Sequence, residues 1–90
     1  MERGAAMTKE EYEKLELGQP VTMNDYVLTN INLERKCYAI RLTDECEYIV
    51  HYTLKPKQYF IVIGNTKRFL DKDVVKEYKR DVREYEKYGI

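Results

Sequence analysis

Through the middle of the chain apolar and polar residues alternate, and towards its end apolar residues recur every three to four positions. The segments CYAIRL, ECEYIVHYTL and QYFIVIG carry the alternating pattern and read as three consecutive strands of an antiparallel meander. Side-chain parity then constrains the loops. Tyr38, Ile40 and Leu42 share one face of the first strand, and Cys46, Tyr48, Val50, Tyr52 and Leu54 share one face of the second. These sets meet only across a loop with an odd number of residues, predicted as Thr43-Asp44-Glu45, which puts Arg41 opposite Glu47. A following loop of Lys55-Pro56-Lys57-Gln58 sets Leu54 against Tyr59, Tyr52 against Ile61 and Val50 against Ile63. One face of the sheet is then almost wholly apolar and forms the core. The other, with Cys37, Ala39, Ile49, His51, Thr53, Phe60 and Val62, is half apolar, unlike a face open to water. The N-terminal helix, a second subunit or a partner must cover it.

The flanks read as helices. Thr8 and Glu11 form a capping box, with Met7 and Tyr12 as staple, and the helix stops near Gly18 with Pro20 behind it. Residues 21–34 suit either a helix capped by Thr22 or a strand; the alternation of Val27, Thr29 and Ile31 favours a strand from Tyr26 to Ile31. From Asp71, a candidate N-cap, Val74, Val75, Tyr78, Val82 and Tyr85 form one helical stripe facing the apolar sheet face. Lys72, Lys76, Lys79, Arg80, Arg83 and Lys87 gather on nearly the opposite side. Asp73, Glu77, Asp81 and Glu84 lie between, predicting the i,i+3 pairs Asp73–Lys76, Glu77–Arg80 and Glu84–Lys87. The expected fold class is α+β: an antiparallel three- or four-stranded β-meander with a short N-terminal helix and a long C-terminal helix packed on one sheet face. Residues 1–7 read as a flexible leader and 8–90 as a single domain.

Composition narrows the function classes. Sixteen basic against sixteen acidic residues leave no net charge, so no long-range field draws the molecule to nucleic acid or an anionic membrane. Nine tyrosines and no tryptophan favour half-buried sheet faces and interfaces alike. No apolar run is long enough to span a bilayer, and the charged start lacks the apolar stretch of a signal peptide. A cytoplasmic, reducing setting is expected. Cys37 and Cys46 match no zinc spacing and fall on opposite sheet faces, which disfavours a disulfide.

Candidate chemistry is sparse. The sorted basic row suits phosphate tracking, but no aromatic interleaves it as a stacking platform, so a solvated or protein-facing surface is the better reading. A second basic group, Lys55, Lys57, Lys67 and Arg68, belongs to two loops at opposite ends of the third strand. IGNTKRF reads as a Gly-containing turn before the helix, without the pattern of a nucleotide loop. His51 is the single histidine, placed mid-strand with Val62 as its expected neighbour, and no carboxylate on its face orients it as a base. No metal, catalytic set or cofactor is implied.

The strands CYAIRL, EYIVHY and YFIVIG, followed by a basic loop and a helix, resemble in pattern the latter half of RelE-type ribosome-dependent mRNA interferases. The resemblance covers roughly residues 37–75. It implies RNA cleavage by charged and acid–base side chains on the sheet, a role that falls to Arg41, His51, Lys67 and Arg68; Ile49 stands where such enzymes often carry arginine. The leading expectation is instead a non-enzymatic protein-interaction module, such as an inhibitor or adaptor of the kind that phages and mobile elements encode. It would dock a protein partner, or self-associate, through the sheet-face residues Ile49, His51, Phe60 and Val62 or through the charged helix.

Overall fold

The computed structural model describes residues 5–6, 8–32 and 37–88. The elements follow in the order β1 Ala5–Ala6, α1 Lys9–Glu13, β2 Glu16–Leu17, β3 Tyr26–Asn32, β4 Cys37–Leu42, β5 Glu47–Ile49, β6 His51–Leu54, β7 Lys57–Ile63, β8 Thr66–Phe69 and α2 Lys72–Tyr88. One sheet runs β1-β6-β7-β8-β2 and the other β3-β4-β5. The α+β class and the flanking helices are those the pattern predicts.

The two sheets are joined twice by the chain itself. Residues 47–54 pass from one to the other through Val50, fully buried, whose amide donates to the Tyr38 carbonyl at 2.9 Å. Residues 16–32 do the same: β2 and Val21 run parallel to β8 and Leu70, whereas β3 pairs antiparallel with β4. Following ladder and chain together gives a closed circuit. Val21 amide to Phe69 carbonyl and Asp71 amide to Val21 carbonyl, each 2.8 Å, fasten the seam. One apolar cluster fills the interior: Ile40, Leu42, Val50, Tyr52, Tyr59 and Ile61 from the sheets meet Val74, Tyr78 and Val82 from α2.

The first hairpin has the predicted register. Arg41 faces Glu47 and Ile40 faces Tyr48, across Thr43-Asp44-Glu45. Glu45 takes φ 65, the left-handed residue that a three-residue hairpin needs in its third place. The second hairpin corrects the expected register by two residues. Leu54 pairs with Lys57 across Lys55-Pro56 and Tyr52 with Tyr59, so His51 faces Phe60 and not Val62. An even shift preserves the faces, so Tyr52, Tyr59 and Ile61 keep the core side that the pattern predicts.

Two further corrections concern the ends of the meander. The segment read as a loop before the long helix is strand β8, turned back by Gly64-Asn65 with Gly64 at φ 62. The N-terminal helix ends well short of Gly18, its C-cap at Lys14, because Glu16 and Leu17 are taken up as a strand beside β8. Its N-cap is as predicted, Thr8 Oγ1 accepting from the Glu11 amide at 3.1 Å. Within the expected leader Ala5–Ala6 pair with β6. The remaining leader positions, the Met7–Tyr12 staple and the Cys37 side chain lie outside the described residues.

The seam tolerates little bulk. Gly18 donates to the Lys67 carbonyl at 2.9 Å, and a Cβ added there would sit 2.4 Å from Thr66 Cγ2. That methyl is fixed to a β-branched carbon with few rotamers to retreat to. Gly18→Ala is expected to cost about 1–3 kcal/mol, read as a lower urea midpoint at unchanged slope. An unchanged midpoint would mean that the seam is looser than described.

Candidate functional site

The second sheet face comes first, because the sequence leaves its cover open. Its cover is α1. Tyr12 sits edge-on over Phe60 at 5.6 Å between ring centroids and over Phe69 at 6.3 Å, while His51 stacks beside Phe60 at 5.5 Å. Lys67 Nζ lies 3.8 Å from the Tyr12 ring centroid and donates to the Tyr12 carbonyl at 3.2 Å, pinning the short helix down. Phe60 is fully buried. Its ring is thus closed to solvent and belongs to a secondary core. Ile49, His51 and Val62 are half-buried around it.

The residues needed for RNA chemistry are engaged separately. Arg41 pairs with Glu47 at 3.5 Å. Arg68 Nε donates to the Gln19 carbonyl at 2.8 Å and its Nη2 to Asp25 Oδ2 at 3.1 Å, tying residues 19–25 to β8. By register Lys67 stands opposite Val62 and Arg68 opposite Ile61, which puts these two on opposite faces. Arg41, His51, Lys67 and Arg68 do not converge on one cleft. Among the described residues no group of three or more His, Cys, Asp or Glu is placed to hold a metal ion.

The long helix gives a different result. Lys72, Lys76, Lys79, Arg80, Arg83 and Lys87 are all exposed. Of the expected pairs Glu77–Arg80 forms, at 2.6 Å, and Arg80 also reaches Asp81 at 3.9 Å. Asp81 accepts from the Tyr26 hydroxyl of β3. Asp81, on the acidic side of α2, is thus turned towards β3. Its basic side leans the other way, with Lys79 Nζ 5.6 Å from the Tyr59 ring centroid. Lys57 Nζ approaches the same ring at 5.8 Å and that of Tyr52 at 5.1 Å. Sequence reasoning missed this grouping of Lys57 with the helix lysines; only the two-residue turn after Leu54 brings it out.

A small polar cluster at the first hairpin was also missed. The Asp44 carboxylate accepts from the Cys46 amide at 2.8 Å and from the Tyr48 hydroxyl at 2.7 Å. The Cys46 amide first and the Tyr48 hydroxyl second hold the Asp44 carboxyl below its ordinary value. The bond to Asp44, with some desolvation, pushes the Tyr48 phenol up to about 12. A raised acid favours the folded state while protonated. This contribution is therefore complete below the ordinary tyrosine value of 10.0 and is lost as pH climbs through about 12. Titrating tyrosinate absorbance is expected to show a late-ionising ring that returns towards its ordinary range in Asp44→Ala. Identical curves would show that the bond does not persist in solution.

Among the described residues no helix is long and apolar enough to cross a membrane. Comparison of the chain with protein-family models, with curated proteins and with solved structures finds no match in any of the three.

Proposed function

We propose that the protein is a non-enzymatic interaction module that docks an acidic surface of a partner protein through the basic side of α2, as a cytoplasmic inhibitor or adaptor would. The observation that carries this reading is the state of the row itself. Among the described residues Lys72, Lys76, Lys79 and Arg83 form no ion pair, while the neighbouring Glu77 and Asp81 are half-buried and engaged with Arg80 and Tyr26. These four cations, unlike Arg80, are not neutralised by the helix's own acids, so an outside anion meets little competition at them. The dispersal of Arg41, His51, Lys67 and Arg68 argues against the RNA-cleaving alternative. Exposed ion pairs contribute little singly, about 0–1 kcal/mol, so recognition rests on several made together.

The test is carbodiimide cross-linking in cells producing the protein, followed by peptide mapping. Links are expected from Lys72, Lys76, Lys79 or Lys87 to Asp or Glu of one other protein, and are expected to fall in Lys76→Glu/Arg83→Glu. Links to a second copy of this chain would replace the foreign partner by self-association. RNA cleavage by the purified chain, abolished in His51→Ala, would overturn the proposal.

A further inference from the structure

At the head of the basic row the surface dips into a cavity of about 280 Å³ between the β7–β8 ladder and the start of α2. Leu70 and Val75 contribute its apolar lining, next to Phe69, and Lys57, Lys72 and Lys79 are the charged residues that line it. We infer that this cavity takes one hydrophobic side chain of an acidic linear peptide, the carboxylates on either side of it meeting Lys72 and Lys79. The inference rests on the reading of α2 as a surface for an acidic protein, and it specifies the chemistry at one end of that surface.

Three comparisons single the cavity out. Small-ligand pockets span roughly 300–1,000 Å³, so this one has room for a side chain and not for a folded element. The cleft between α1 and β6, about 440 Å³, mixes Glu13 with Lys9 and Lys55 and gives no single sign of charge. The groove at the end of α2 is lined by Arg80, Arg83, Glu84, Lys87 and Tyr88, with no aliphatic floor. Charge of one sign over an apolar floor occurs at the β7–α2 cavity alone of these three.

Chemistry also favours a peptide over a nucleic acid. Stacking a base needs an open aromatic face. Tyr59 is 6 % exposed, with Tyr78 at 5.5 Å and the ammonium groups of Lys57 and Lys79 over its ring. At the start of α2 the Lys72 amide is already taken by Asp71 Oδ1 at 2.7 Å, and that carboxylate repels a phosphate approaching the same helix end.

The experiment titrates the folded protein with a fluorescent heptapeptide having a central leucine between two runs of three aspartates. Its counterpart carries serine in place of leucine, and a thymidine oligonucleotide provides the third probe. Anisotropy reports affinity, and amide shifts at Phe69, Leu70 and Val75 report the place. The leucine peptide is expected to bind about tenfold more tightly than the serine peptide. Lys72→Glu and Lys79→Glu, checked as folded by circular dichroism, are expected to weaken it by about tenfold each. Equal binding of the leucine and serine peptides would overturn this inference and leave the acidic-surface reading standing. Failure of both peptides to bind would overturn both. Binding of the oligonucleotide alone, lost in the same two variants, would also overturn both and make the row a phosphate surface.

Discussion

Phe60→Glu is expected to unfold the protein, abolishing the cooperative thermal transition seen by circular dichroism. Phe60 is fully buried, and its ring meets Tyr12, His51 and Phe69. Truncating such a residue to alanine costs about 3–5 kcal/mol. A carboxylate at the same place adds the cost of a buried charge to that loss. The total reaches the whole stability of a small domain, about 5–15 kcal/mol. The comparison is Val62→Glu on the same face, half-buried, which is expected to remain folded with a lowered melting temperature. A folded Phe60→Glu protein with an ordinary melting curve would mean that α1 leaves this face readily, and the face would again become a candidate for docking.

Tyr78→Ala is expected to cost about 3–5 kcal/mol, the range for removing a buried aromatic ring. Tyr78 is fully buried at the middle of the stripe that seats α2, and its ring lies 5.5 Å from that of Tyr59. For a domain of this size each kcal/mol lowers the melting temperature by roughly 4–8 °C, so the loss is easily measured. Tyr85→Ala, on the same stripe but half-buried, is expected to cost about 1 kcal/mol. Equal losses at the two positions would show that the helix is not seated as described. Because Tyr59 also lies beneath Lys79, affinity for an acidic probe is expected to fall with Tyr78→Ala even below its melting range.

The strands and their faces were legible because alternation is a local signal, and parity survives any even error in a loop. Arg41 opposite Glu47 followed from that parity alone. The turn after Leu54 was misjudged because alignments two residues apart both keep apolar residues on one side. Strand β8 was missed because TKRF is polar on its surface, although Gly64-Asn65 carried a hairpin signal of its own. The closing of the circuit was beyond sequence patterning, since Val21 and Leu70 pair across most of the chain. As for the candidate site, the charged row on α2 followed from helical periodicity. The apolar floor beside it did not, because it depends on where the helix comes to rest on the sheet.

The circuit leaves a partner little exposed backbone to copy. Edge strands invite strand addition, in which a foreign peptide gains affinity from main-chain hydrogen bonds with few demands on its sequence. Here β1 occupies the outer side of β6, β2 that of β8, and α2 packs against β3. The outer edges left at β1, β2 and β5 are only two, two and three residues long, so recognition by the described part of this protein is expected to run mainly through side chains, where each wrong residue in a ligand is felt.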